Sequence, residues 1–557
     1  MMTTHPRLLV LPLVLSSCSS SDPGSIQPSA EELTVTLESF DPAAVDLRRG
    51  PGYEVFRLNE RLAFTDYNGD GDFEDEVQAL QVEGLGVVNT HLDAGLHTEL
   101  MEEAFLFLAS EFGNDRDLNG DGDLHDHVLH AYRFATGELT NTRLVISGEV
   151  EGSLEPFARV VFDHRGSLLV FLVSESFQGE DINNDGDQMD AIVHFYDASD
   201  GRITVTKTEA YLSRPFLTDG TVVCAALEKG FDLNGDGDGD DRVLVRLDYD
   251  QGSVKETSLG LALPPVNSST LIAGGDGFAL FHVSEDAQGE TDLDGDGAAT
   301  QNVVFSYDAR SERIVNTGIG LDLAWLRVSE GDGWFLDREG HLILHDVDTG
   351  VTRNTRIRAT PTLTDLPGHV ALSLREETEN TDLNGDGDLE DTISALYDLG
   401  NDSLIHFRSW ADTQYFGDGA VYLFFAEDGI GAGDVNGDGD LEDRLQYRYD
   451  LQTGELELLP ISGGVVARVG ADVFASVLLE SQEGEDLNED GDQDDRILRI
   501  FRRSDGATHT FAQHLRSMST GDFEDGRLPV IFDEMGIDLN QDGDGDDELV
   551  PLLLRVN

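Results

Sequence analysis

Positive charge is scarce in this sequence of 557 residues, where 36 Lys and Arg stand against 110 Asp and Glu for a formal net charge of −74. Phosphate backbones need a basic surface, so nucleic acid is excluded as a partner and cations are favoured. Cysteine is limited to Cys18 and Cys224, and Pro to 15 residues against 60 Gly. With an apolar share of 39%, that balance fits a turn-rich folded β protein better than a disordered one. The three tryptophans, Trp325, Trp334 and Trp410, are too few for a sugar-binding platform and are expected to pack between structural units. Also missing are a G-x-S-x-G elbow, an H-E-x-x-H pair, a phosphate loop and any long helical periodicity. No catalytic residue is assigned.

The longest apolar run near the start, Leu8 to Leu15, is too short to span a bilayer and follows Arg7, as in an export signal over residues 1–17. Leu15-Ser16-Ser17-Cys18 resembles a bacterial lipobox, which implies cleavage before Cys18, lipidation of its thiol and a Ser-rich tether over 18–30. Ser19, rather than Asp, resembles outer-membrane sorting. The expected place is therefore the cell envelope, lipid-anchored at the outer membrane, facing the periplasm or the surface. With Cys18 lipidated, Cys224 has no intramolecular disulfide partner and is expected to be a buried, inert thiol.

What the chain does have is a repeat. The string D-x-N-x-D-G-D-x-x-D, or a near variant, starts at Asp66, Asp117, Asp181, Asp232, Asp292, Asp382, Asp434, Asp486 and Asp538. The wide interval before Asp382 hides a tenth unit in which Asp337-Arg338-Glu339-Gly340 replaces the loop. Around each loop the pattern is constant: two apolar β-rich runs before it, a third after it, a reversal such as Tyr196-Asp197 to Gly201 or Tyr449-Asp450 to Gly454, and a fourth run. Four short antiparallel strands per ~50-residue unit is the signature of a β-propeller blade. The fold class expected is all-β, a β-propeller of about ten four-stranded repeats over 31–557. Even spacing and the lack of a linker near 320–370 favour one ring over two smaller ones. The last unit lacks a fourth strand, and the alternating segment 32–39 is predicted to supply it.

Over residues 52–557 these units resemble calcium-loop propellers of the integrin-α (FG-GAP) kind, in which an Asp/Asn-rich loop joins adjacent blade strands. The chain departs from them in a loop one residue longer before the last carboxylate and in irregular Phe-Gly and Gly-Ala-Pro signatures.

Alternate Asp or Asn residues put hard oxygens at loop positions 1, 3, 5 and 7, and Gly at position 6 permits the sharp turn that gathers them, as in the first half of an EF-hand. Position 12 is a strand residue, so Asp at position 10 takes the closing role. The candidate ligands are Asp66, Asn68, Asp70, Asp72 and Asp75 in the first loop, Asp117, Asn119, Asp121, Asp123 and Asp126 in the second, and Asp181, Asn183, Asp185, Asp187 and Asp190 in the third. The fourth offers Asp232, Asn234, Asp236, Asp238 and Asp241. The sixth offers Asp382, Asn384, Asp386, Asp388 and Asp391, and the seventh Asp434, Asn436, Asp438, Asp440 and Asp443. The eighth has Asp486, Asn488, Asp490, Asp492 and Asp495, and the ninth Asp538, Asn540, Asp542, Asp544 and Asp547. The fifth keeps Asp292, Asp294 and Asp296, but Ala298 and Gln301 replace two carboxylates, and it is expected to be weak or empty. Oxygen-only ligands on flexible turns favour Ca2+, about eight ions in all, with a structural role. The nine 12-residue loop windows carry 44 acidic and 3 basic residues, a net of −41. Carboxylates crowded that closely are costly without a cation.

Glu111, Glu175, Glu228, Glu285, Glu376, Glu427, Glu480 and Glu534 precede their loops and are read either as extra ligands or as solvated strand ends. His125, His127 and His130 occur in one unit only and are read as solvated or strand-lining rather than metal-binding. Two functions remain: a calcium-rigidified binding or scaffold module for a protein or glycan at the cell surface, with the membrane met through the lipid alone, and a propeller hydrolase or lyase with its site in a central funnel.

Overall fold

The computed structural model describes residues 35–556 apart from 40–43, 51–52, 83–85, 149–161, 211–215, 219, 265–271, 276, 322–325, 330–331, 384–386, 408–410, 416–417, 427–443, 463, 471, 484–485, 489–490, 519–520, 523–526 and 534–549. The expectations for Cys18 and its tether, for the seventh and ninth loops, and for Asn384, Asp386, Asp490, Trp325, Trp410, Glu427 and Glu534 lie outside the described residues.

The fold is all-β, a β-propeller type of array in which four-stranded antiparallel sheets follow one another along the chain. In the third repeat the strands are Phe162–Arg165, Leu168–Ser174, Ala191–Asp197 and Arg202–Glu209, each paired with its sequence neighbour. The acidic loop joins the second strand to the third. The sequence explains why the inner pair is deepest. Leu168–Ser174 and Ala191–Asp197 are nearly continuous apolar runs, buried on both faces, whereas the fourth strand of the sixth repeat, Val351–Arg358, has one wet face. The turn after the third strand is fixed by the Asp of Tyr-Asp. Asp197 Oδ1 accepts the Ser199 amide at 3.1 Å and Asp450 Oδ1 the Gln452 amide at 3.0 Å, with Gly201 and Gly454 at positive φ.

The core is a series of slabs between successive sheets. Leu168, Val170 and Phe195 pack on Val222, Cys224 and Val245 of the next repeat, and Val223 and Leu244 pack on Phe281 and Phe305 of the one after. Cys224 is fully buried, and burial pushes its thiol up to about 12. Trp334 is also buried.

The contacts divide the chain into two compact units. One comprises Gly50–Tyr53 and Asp66–Thr360, and holds the first five loops and the loopless sixth repeat. In it Gly86–Leu100 runs long enough to serve as the fourth strand of one repeat and the first of the next. The other comprises Met1–Arg49, Glu54–Thr65 and Pro361–Asn557. There Val35–Ser39 lies antiparallel to Val550–Val556, with Val35 opposite Val556, as the outer strand of the final sheet.

Candidate metal centres: the acidic loops

The second to sixth loops and the eighth are each built on a glutamate. Glu111, Glu175, Glu228, Glu285, Glu376 and Glu480 end their second strands and are at most 1% exposed, so the reading as solvated strand ends is overturned. Burial follows from two sets of hydrogen bonds. The backbone amide of each glutamate donates to the carbonyl of loop position 10, as from Glu111 to Asp126 at 2.9 Å, which ties off the loop's base. The carboxylate then accepts loop amides: Glu111 Oε1 takes Leu118 at 2.6 Å and Asn119 at 3.2 Å, and Oε2 takes Asp126 at 3.4 Å. Glu480 repeats this on Leu487, Asn488 and Asp495. Glu60 was missed in the sequence. It ends Tyr53–Asn59, six residues before Asp66, and is fully buried; the same spacing separates Glu111 from Asp117.

Within the loop, positions 1 and 3 shape the backbone. Asp117 Oδ2 accepts the Gly122 amide at 3.1 Å, and Asp181, Asp292, Asp382 and Asp486 do the same for their position-6 glycines. Those glycines sit near φ +104 (Gly122) and +106 (Gly186), where a side chain would be strained. The Asn at position 3 accepts the position-5 amide on its Oδ1 and donates its Nδ2 to the position-10 carboxylate: Asn119 Oδ1 accepts Asp121 N at 3.0 Å and Asn119 Nδ2 donates to Asp126 at 2.7 Å. Asn68, Asn183 and Asn234 follow the same pattern.

The carboxylates that converge are the glutamate and positions 7 and 10, joined in the second loop by position 5. In the second loop Glu111, Asp121, Asp123 and Asp126 each place an oxygen within 4.8 Å of the others, as do Glu175, Asp187 and Asp190 in the third and Glu228, Asp238 and Asp241 in the fourth. Burial, together with repulsion from Asp121, Glu111 and Asp123, pushes Asp126 up to about 8, and burial with Asp236 raises Asp241 to about 6. The fifth loop keeps the backbone shape with fewer charges: Asp292 Oδ2 still holds Gly297, Glu285 still accepts Leu293, and the Gln301 amide donates to Asp296 where a carboxylate would face it. The sixth repeat has the tight turn expected, with Gly340 N bonded to the Asp337 carbonyl at 2.9 Å.

Two further supports escaped the sequence reading. A register shift in the fourth strand leaves a third-strand carbonyl free, and a Thr hydroxyl takes it: Thr142 to Leu129, Thr317 to Val304 and Thr355 to Leu342. The preceding Asn reaches the loop, Asn141 Nδ2 to the Leu118 carbonyl at 2.8 Å and Asn316 to Leu293 at 2.8 Å. The recurring Asn-Thr pairs at 89, 141, 316 and 354 were the available signal. Loops also grip the following repeat. Asn68 Nδ2 donates to the Gly113 carbonyl at 3.0 Å and Asn234 Nδ2 to the Ala287 carbonyl at 2.9 Å, while Gln288 Oε1 accepts the Ala262 amide at 2.9 Å. Lys229 is bonded to Asp185, Asp190 and Glu209. His130 is a strand-lining residue, 3% exposed and stacked on Phe107, while His125 is exposed.

No family model matches this chain, and no curated protein matches it. Among solved structures it is similar to BamB from Moraxella catarrhalis, at 11% identity over 68% of this chain and 92% of that one, with a TM-score of 0.29. Apo AztD from Citrobacter koseri is similar at 10% identity over 68% and 93%, with a TM-score of 0.30. The β-propeller domain of the Trilobed protease from Pyrococcus furiosus is similar at 7% identity over 65% and 98%, with a TM-score of 0.28. At this level no residue role carries over from any of them.

Proposed function

We propose that the chain is a calcium-stabilised binding or scaffold module of the bacterial cell envelope, held by lipid on Cys18. One observation carries the metal reading. Glu175 is fully buried, yet its Oε2 accepts no hydrogen bond while sharing one small volume with the carboxylates of Asp187 and Asp190. A buried anionic oxygen with no donor is costly, and a cation supplies what it lacks. The hardness of the oxygens and the irregular turn select Ca2+ over transition metals, and the repeat extends the reading to the loops at Asp434 and Asp538. In this reading Glu111, Glu175, Glu228, Glu376 and Glu480 join positions 7 and 10 as ligands, with position 5 added in the second loop, and positions 1 and 3 hold the loop in shape. The loops would then be staples across an array without disulfides, similar in logic to integrin-α (FG-GAP) calcium loops.

Binding rather than catalysis is supported by what flanks the loops. Phe73, Phe112, Met189 and Phe231 are 48%, 72%, 87% and 72% exposed on or beside successive loops of one unit. Exposed apolar side chains in series are an interaction feature. Thermal melting with and without EGTA tests the metal role, and an unchanged midpoint refutes it. Turnover across a hydrolase and lyase panel would replace the binding role with the catalytic one.

A further inference from the structure

The third loop differs from its neighbours in carrying a cation of its own. Lys229 follows the buried Glu228 at the end of the second strand of the next repeat and reaches back across the repeat boundary. Its ammonium donates hydrogen bonds to the carboxylates of Asp185 and Asp190 and forms an ion pair with Glu209 at 2.8 Å, so one cation faces three acids. Asp190 and Glu209 are only 6% and 10% exposed while Lys229 is 30% exposed, which makes this a half-buried ion cluster rather than a fully solvated surface pair.

Lysine and acid occur together at this boundary alone among the loops of this unit. The residue after the buried glutamate is Phe112, Ser176 or Asp286 in the repeats that follow the first, second and fourth loops. Glu209 pairs with Ile192, the strand residue at loop position 12. At the corresponding places Ala262 pairs with Val243 and Gly320 with Val303. Asp185, at position 5, is thereby drawn to the lysine. Its carboxylate, hydrogen-bonded by Lys229, is held down at about 2.

We propose that the third loop has two cation positions sharing Asp190: one for a metal ion, framed by Glu175, Asp187 and Asp190, and one filled by the Lys229 ammonium, framed by Asp185, Asp190 and Glu209. The first position rests on the metal reading above. The second needs no free ion, so this repeat boundary stays joined when calcium is withdrawn. Without the lysine, the second position becomes a metal site with Glu209 as a ligand outside the loop.

The test is calcium counting by native mass spectrometry and calcium titration on the full chain and its K229M, K229R and K229M/E209Q variants, with melting in EGTA alongside. The expected result is one more Ca2+ per chain in K229M, no gain in K229R or K229M/E209Q, and a lower EGTA midpoint for K229M than for the parent. An unchanged count and affinity in K229M, with the parent binding calcium, overturns the second position. A parent that binds no calcium sinks the metal reading instead. The EGTA midpoints then decide whether Lys229 is the resident cation, and equal midpoints for parent and K229M would overturn it.

Discussion

Replacing Glu111 by Gln separates the two roles of the loop glutamate, because it preserves the side chain's shape and removes its charge. Without metal, two effects oppose each other. The charge-assisted hydrogen bonds from Leu118 and Asn119 weaken, and bonds to a charged group contribute about 1.5–3 kcal/mol against about 1 for neutral ones. Repulsion of the buried glutamate from Asp117 and Asp126 is relieved at the same time. The net change in EGTA is expected to be small, within about 1 kcal/mol. With calcium the balance is one-sided, since Glu111 is one of four converging carboxylates. A site held at a hundred times its dissociation constant contributes about 2.7 kcal/mol, and the substitution should forfeit most of it. Urea unfolding of parent and E111Q, each in EGTA and in millimolar calcium, gives the four numbers needed. An E111Q protein that gains as much from calcium as the parent would refute the glutamate as a ligand.

Other substitutions probe the supports. Asn141→Ala removes the bond to the Leu118 carbonyl and should lower calcium affinity several-fold at one site while costing about 1 kcal/mol, read by calcium titration and urea unfolding. A Cβ at Gly113 would lie 2.1 Å from Asp93 Oδ2, and Asp93 is itself held by Glu76 and Asn114. Gly113→Ala should therefore destabilise the chain by about 1–3 kcal/mol in urea unfolding. Gln301→Asp returns a carboxylate to the fifth loop and should add one Ca2+ to the count by native mass spectrometry. Burial holds His194 and His345 at about 4, with Asp346 and Arg313 beside the latter, so both are neutral in the folded chain. Each histidine takes up a proton on unfolding between about pH 6.5 and 4, so its contribution to stability should fall as pH drops through that window, opposite in sign to that of the raised acids Asp126 and Asp241; a His194→Gln/His345→Gln variant that keeps the parent's pH slope there would contradict it.

Much of this architecture is legible in the sequence because it is carried by local pattern. The Tyr-Asp-to-Gly reversal, the buried apolar run of Leu168–Ser174 and the tight turn at Asp337 to Gly340 each depend on a few adjacent residues. So does the loop backbone, which survives at Asp292 without two of its carboxylates. What the sequence conceals is direction. Asp117 and Asn119 carry the right atoms for ligands, yet their oxygens accept loop amides, whereas Glu111, outside the ten-residue string, turns into the centre. Whether a strand-ending glutamate is wet or buried depends on a loop that folds back over it, which spacing alone does not decide. Lys229 was silent for a related reason: the acids it meets lie 20 to 44 residues away, across a repeat boundary.

Calcium counting on the intact chain tests the central claim most directly. Native mass spectrometry of metal-stripped protein, titrated with Ca2+ and then with Mg2+, should show about eight calcium ions bound and only a few magnesium ions retained. A chain that takes up no calcium, or as much magnesium as calcium, would contradict it.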